Sequence, residues 1–346
     1  MTNSRQLRVV AIGGGTGLST LLRGLKAFVA APANDSDPTH PHLSTLIREL
    51  SAIVTVTDDG GSSGRLREDL HMLPPGDIRN CLVALSQDEH LLSRLFQYRF
   101  PHGDLEGHSF GNLFLAALTG ITGDFAQAVH TSSQILATRG RIFPCTTANA
   151  TLSARMDDGS IVDGETSITA SRRSIAELIL TPADARPLPE TLTAIANADL
   201  ITLGPGSLYT SLITNLLVRG IPEAIAHSSA TRVYICNLMT QANESLGLTA
   251  SQHIEKILDH ARAFSLRKDA QIFDYALINT APISPQALAR YAREGQTPIL
   301  ADLDRIRSLG VEPITGNFVH EGDVLRHNYD VLAETVLQLA LQTSAV

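Results

Sequence analysis

The hydrophobic positions near the N-terminus change period at a run of glycines. Leu7–Ile12 is a short apolar run without alternation, as expected of a strand buried on both faces. Beyond the glycines, Leu18, Leu21, Leu22, Leu25 and Phe28 recur at helical spacing. Strand, glycine loop and helix predict the opening of a parallel βαβ unit. The same alternation predicts strands at Leu50–Thr57, Leu200–Gly204, Thr231–Leu238 and Asp274–Asn279, with one more near 311–318. Helical stretches are expected at about 77–86, 90–98, 112–121 and 124–138, and a closing helix at Asp330–Leu341. The pattern changes between Arg141 and Leu180, where short runs flank the turn Asp157–Ser160. This predicts a β-rich insertion over 141–182. Strands alternating with helices along the rest of the chain predict a doubly wound, three-layer α/β/α fold with a mostly parallel sheet.

In such sheets, ligands bind where strands end and loops lead into helices. The first such loop is Gly13-Gly14-Gly15-Thr16-Gly17-Leu18-Ser19. Its glycines allow close approach to a diphosphate, and the free N–H groups of the next helix favour negative charge. It matches neither GxGxxG, because Leu18 stands at the last position, nor a P-loop, because no Lys follows. The second loop, Thr57–Asp69, begins with Asp58 and Asp59, placed to take ribose hydroxyls or Mg²⁺. Ser62 and Ser63 follow among glycines, and Arg65 and Arg67 are within reach of phosphate. Gly60–Gly64 also fits GxSxG, with Ser62 as nucleophile, but the Asp pair sits where a strand should enter the sharp turn. The third loop, Leu203–Leu212, turns at Gly204, Pro205 and Gly206, and Ser207 is placed to cap the next helix. Asp77, Arg79, His108, Ser109 and Asn112, at glycine-containing entries to further helices, are candidate ligand contacts; Asn237, Thr240 and Gln241 stand at another strand end, and Asn112 and Asn237 are expected to bind the nucleotide.

Composition narrows the partners. The chain has 346 residues with 27 Lys+Arg against 35 Asp+Glu, a net charge of −8. That balance, with no basic block, argues against general affinity for nucleic acid or anionic membrane. Cys81, Cys145 and Cys236 stand far apart, so they predict neither a zinc ribbon nor a disulfide framework. No leader-like apolar segment is recognisable, and a cytoplasmic protein is expected. Residues 31–42, rich in Pro, Asn, Asp and His, predict a surface excursion on which His40 and His42 are solvated.

Taken together, "GGGTGLSTLLRGLK", "VTVTDDGGSSGRLR", "PPGDIRN", "HSFGN", "GPGSLYTS" and "RYAREGQTPI" resemble the YvcK-type gluconeogenesis factor group of the CofD-like family. Its relative is 2-phospho-L-lactate transferase. The resemblance implies one Rossmann-like domain over 1–346 that binds a UDP-sugar or similar nucleotide. It also implies a homo-oligomer, expected as a dimer, needed for growth and cell shape on gluconeogenic carbon sources. By motif, Tyr291 in "RYAREG" and Arg326 in "LRHN" resemble positions that contact the sugar-nucleotide. The family pattern after Arg326 is commonly His-Asp; here Asn328 replaces the Asp.

Two functions therefore stand side by side. A regulatory binder would seat a diphosphate on Gly13–Ser19 and at Gly206–Ser207, with no required cofactor. A transferase would hold Mg²⁺ at Asp58/Asp59 and stabilise charge with Arg65 or Arg79. The absence of Trp and the 5% aromatic content are thin provision for stacking a deazaflavin acceptor. A dehydrogenase lacks a convincing hydride-transfer set.

Overall fold

The computed structural model describes residues 6–30, 46–87, 89–171, 173–264 and 270–343. The expected excursion at 31–42 lies outside them. Strand β1 (Leu7–Gly13) leads into α1 (Gly15–Lys26), followed by β2 (Ile47–Val54), α2 (Gly61–Leu70), α3 (Gly76–Leu85), α4 (Glu89–Gln97), α5 (Phe110–Thr122), α6 (Phe125–Ile135) and β3 (Arg141–Pro144). Next come β4 (Thr151–Met156), β5 (Ile161–Asp163), α7 (Glu165–Ala170), β6 (Ile175–Thr181), α8 (Pro189–Ala196) and β7 (Leu200–Leu203). A π-helical segment, Leu208–Ile213, then precedes α9 (Thr214–Leu216), α10 (Ile221–His227), β8 (Thr231–Ile235), α11 (Ala250–Phe264), β9 (Tyr275–Asn279), α12 (Pro285–Ala292), α13 (Leu303–Ser308) and β10 (Glu312–Gly316). The chain closes with a short hairpin, β11 (Val319–His320) and β12 (Arg326–His327), and α14 (Tyr329–Thr343).

The main sheet has seven strands in the order β10-β9-β8-β7-β1-β2-β3. All adjacent pairs are parallel. From β1 the chain moves outward to β2 and β3, then returns to place β7 on the other side of β1 and continues away. The order therefore reverses between β1 and β7, and the first and third glycine loops leave the sheet at that point.

The hydrophobic periodicity explains why. In β1, Val9, Val10, Ala11 and Ile12 are all buried, as a strand covered on both faces requires. On α1, Leu18, Leu21, Leu22 and Leu25 are each 0% exposed; burial of each contributes roughly 1.5–3 kcal/mol. This face packs with α3 and α14. The segment Leu208–Ile213, α11 and α13 form a second packed group. Cys81, Cys145 and Cys236 are buried and unbonded.

The expected boundaries shift in informative places. The run expected at Leu50–Thr57 is a strand only over Ile47–Val54, and Thr55–Thr57 carry the chain beyond it toward the site. Arg141–Pro144 belongs to the main sheet, where it pairs in parallel with Ser51–Val54, so it is no part of the insertion. The insertion proper is an antiparallel three-stranded sheet, β5-β4-β6. A short apolar run beside β-rich sequence cannot reveal which sheet it joins. Helix α2 takes up most of what reads as a glycine loop. Its mean hydropathy is low because Arg65, Arg67, Glu68 and Asp69 outweigh its two leucines, and it buries Ser62, Ser63, Gly64 and Leu66. No described helix is long and apolar enough to cross a membrane.

Candidate functional site

The reversal point is built from glycines that permit close approach. Gly14 precedes α1 in an extended conformation, and Gly15 has φ +60°. A Cβ on Gly14 would meet the Thr55 hydroxyl, and Asp77 Oδ2 at 2.8 Å. A Cβ on Gly17 would collide with the Pro205 carbonyl, so the start of α1 lies directly against the third loop. Asn215 fastens the two from below, its Nδ2 donating to Gly13 O at 3.1 Å and Ser211 O at 2.7 Å. Asn237 braces Gly206, donating from Nδ2 to its carbonyl at 2.8 Å.

Above these loops lies a cleft of about 220 Å³. Gly14, Gly15, Thr16 and Gly17 form one side; Gly206, Ser207 and Asn237 form another. Tyr291, from α12, and Arg326, from β12, line the same cleft. The Tyr291 hydroxyl accepts from the Leu325 N–H at 2.9 Å, which ties α12 to the hairpin carrying Arg326. Arg326 is exposed and has no ion-pair partner among the described residues. His327 also lines the cleft; its Nε2–H donates to Cys236 O at 3.1 Å. Burial pushes that imidazole down to about 4, which keeps it neutral near pH 7. Helix α1 has no acidic residue in its first turn; the Asp77 carboxylate takes the Gly15 N–H, and the next N–H groups and the dipole are left directed to the cleft.

The remaining expected residues divide. Gly13 ends β1, Leu18 is fully buried, the Ser19 hydroxyl donates to Thr16 O at 3.0 Å, and Gly204 makes the turn at φ +91°. These four shape the loops and do not line the cleft. Ser207 does not cap the next helix with its side chain; its hydroxyl accepts from Gln241 Nε2 at 3.0 Å. The segment it starts is π-helical, and Ser207 O instead accepts from the N–H groups of Ser211 and Leu212. Asn328 accepts from Val331 N at 3.3 Å at the start of α14, a role Asn fills as well as Asp.

The two aspartates of the second loop part company. Asp58 lines a neighbouring hollow with Ser62, Ser63 and Asn112, and its Oδ1 accepts from Gly60 N at 2.9 Å. Asp59 turns to the insertion, where its Oδ1 accepts from Thr166 N at 2.8 Å and Thr166 Oγ1 at 2.6 Å. The pair therefore does not converge on one ion. Among the described residues no group of three or more His, Cys, Asp or Glu could hold a metal. Mg²⁺ would fit only as an ion carried largely by ligand phosphates, with Asp58 as the carboxylate at hand.

Ser62 Oγ lies 3.1 Å from His108 Nδ1 and accepts from Asn112 Nδ2 at 3.0 Å. GxSxG thus acquires a histidine, but β2 ends at Val54, well before Ser62, so no strand enters a nucleophile elbow. No hydrogen bond joins the far ring nitrogen of His108 to a carboxylate among the described residues, which leaves no triad.

Thr55 and Glu165 escaped the sequence reading, whereas Asp77 was among its candidate ligand contacts. Thr55 and Asp77 stand between the two cavities: Thr55 Oγ1 donates to Asp77 Oδ2 at 3.2 Å, and the Gly15 N–H also donates to Asp77. Burial, with Asp58 adding to it, pushes Asp77 up to about 6. Glu165 of the insertion accepts from Thr57 Oγ1 at 3.2 Å, and burial beside Asp58 and Asp77 pushes it well up. Glu165 carried no signal, because the insertion reads as a separate hairpin.

A glycine-floored cleft at the reversal point of a parallel sheet defines a Rossmann-like α/β protein with a candidate ligand site at the C-terminal ends of β1 and β7. The chain belongs to the 2-phospho-L-lactate transferase CofD family, whose model matches residues 9–319. It is 47% identical over 343 residues to the gluconeogenesis factor of Halalkalibacterium halodurans, covering 99% of both chains. It is 43% identical over 334 residues to the gluconeogenesis factor of Bacillus subtilis, covering 96% of this chain and 98% of that one. A crystal structure of a UPF0052 family member from Bacillus halodurans matches with TM-score 0.87 at 47% identity, over 96% of this chain and 99% of that one.

Proposed function

We propose that the protein is a regulator that holds a UDP-sugar in the glycine cleft and supports growth and cell shape on gluconeogenic carbon sources. The observation that carries this reading is convergence. The diphosphate-type loop, the Gly206–Ser207 turn, Tyr291 and Arg326 come from distant parts of the chain and line one cleft. The diphosphate would lie on the α1 N-terminus, with Tyr291 and Arg326 over the sugar. The relatives named gluconeogenesis factor support the physiological half.

A phospholactyl-type transferase is the second reading. It draws on the family model's own description and on Asp58, Asp77 and Glu165 gathered beside the cleft. In that case Mg²⁺ would ride on the donor diphosphate near Asp58.

Arg326→Gln and Tyr291→Phe test the binding reading. UDP-N-acetylglucosamine should bind Arg326→Gln about tenfold or more weakly, since a charge-assisted hydrogen bond is worth roughly 1.5–3 kcal/mol. Its unfolding midpoint should not move, because the side chain is exposed. Unchanged affinity in both variants would remove the ligand from this cleft.

A further inference from the structure

Beside the glycine cleft, a hollow of about 730 Å³ opens between the starts of α2 and α3 and the loop before α5. Arg65, Arg79 and Arg99 all line it. Each of the three hydrogen-bonds only to neutral groups among the described residues. Arg65 Nη2 donates to Glu106 O at 2.7 Å, and Arg99 Nη1 to Gly107 O at 2.8 Å. Arg79 Nη1 donates to Ser109 Oγ at 2.7 Å and Asn112 Oδ1 at 3.2 Å, and its Nη2 to Asn80 Oδ1 at 2.8 Å. Arg79 is only 9% exposed, and its Nε has no partner.

A buried guanidinium stays charged, so leaving it without an ion-pair partner costs stability. Asp58 and Asp77 also line the hollow, but neither hydrogen-bonds to an arginine there. Helix α2 starts at the rim with Gly61 at φ +49°, no side-chain cap and no acidic residue in its first turn. Ser62 and Ser63 add buried hydroxyls. Three arginines gathered on one hollow are a local concentration in a chain of net charge −8.

We propose that this hollow is a second ligand site, which takes the phosphate group of a small phosphate monoester separate from the occupant of the glycine cleft. Arg79 is its buried anchor, and Arg65 and Arg99 close on the anion from the exposed side. The planar guanidinium groups of Arg79, Arg65 and Arg99 around one hollow suit a tetrahedral oxyanion with several acceptor oxygens. The proposal stands whether or not the glycine cleft takes a nucleotide-sugar.

The test is calorimetric titration of the full chain at fixed ionic strength. The probes are 3-phosphoglycerate, inorganic phosphate, and glycerate as the control without phosphate, each with and without saturating UDP. 3-Phosphoglycerate should bind at least about tenfold more tightly than glycerate, and UDP should not displace it. Arg79→Gln and Arg99→Gln should each weaken it about tenfold. If circular dichroism shows that Arg79→Gln does not fold, the exposed pair Arg65→Gln/Arg99→Gln decides, with the same expected loss. No binding of either phosphate probe, equal binding of glycerate, or affinity unmoved in the arginine variants would overturn the proposal. Displacement by UDP would also overturn it, because the phosphate would then be the nucleotide's own.

Discussion

Replacing Asp77 by Asn should stabilise the protein near neutral pH, and by more as the pH rises. Asp77 is half-buried between the glycine loop and the arginine hollow, with Thr55 Oγ1 donating to its Oδ2 at 3.2 Å. Burial and the nearby Asp58 raise it from the ordinary 3.8 to about 6. Between those values the folded protein keeps a proton that the unfolded chain has released. The contribution of this group is therefore full below pH 3.8 and lost as pH rises through 6. Above 6, the shift corresponds to a cost of about 3 kcal/mol for holding the carboxylate ionised in place. Asn keeps one oxygen to accept from the Gly15 N–H and offers Nδ2–H to the Thr55 hydroxyl oxygen, without the charge. In urea unfolding, Asp77→Asn should be more stable than wild type by about 3 kcal/mol at pH 8, with an advantage about 1.4 kcal/mol smaller at pH 5. Comparing variant with wild type at each pH cancels the titration of every other group, His327 included. An advantage that does not change with pH, or a variant less stable at pH 8, would refute the reasoning. The retained cost would make sense if the acid serves the site, since natural sites hold groups that local stability disfavours.

Three further outcomes follow from the same geometry. A diphosphate on the glycine loop adds negative charge beside Asp77, so UDP binding at pH 7 should take up protons; calorimetry in two buffers of different ionisation enthalpy measures this, and zero uptake counts against the placement. Gly17→Ala should destabilise the protein and abolish nucleotide binding, because its methyl would meet the Pro205 backbone, whereas Gly120→Ala, with nothing within 4 Å, should gain about 1 kcal/mol of helix propensity. Thermal melts of both variants give the two opposite signs. Asp59→Ala should cost about 1–2 kcal/mol and speed proteolysis within 151–181, because it removes both bonds to Thr166; unchanged cleavage would mean that Asp59 does not hold the insertion.

The legible part of this protein was its periodic part. Fully apolar strands such as β1 and amphipathic helices such as α1 announce themselves, and alternating them leaves few topologies beyond a doubly wound sheet. The glycine loops were legible because a close approach demands glycine: Gly14 and Gly17 have no room for a side chain. Partnership across the chain was hidden. Asp58 and Asp59 read as a matched pair, but adjacent residues point in different directions, and only one meets the hollow. Ser207 read as a cap because Ser favours that position, and tertiary contact with Gln241 took its hydroxyl elsewhere. Arg141–Pro144 joined the main sheet because the open edge of β2 was available to it. Tyr291 and Arg326 were reachable through the family resemblance alone, since no local pattern marks either one.

On the proposed reading, the glycine cleft holds a nucleotide-sugar without transforming it. The most direct measurement is calorimetric titration with UDP-N-acetylglucosamine, with and without Mg²⁺ and alongside GDP and NAD, followed by mass spectrometry of the ligand recovered from each mixture. The UDP-sugar should bind in the micromolar range, more tightly than GDP or NAD, and be recovered intact. Preference for the guanine nucleotide, or consumption of the ligand with time, would contradict this reading and favour the transferase.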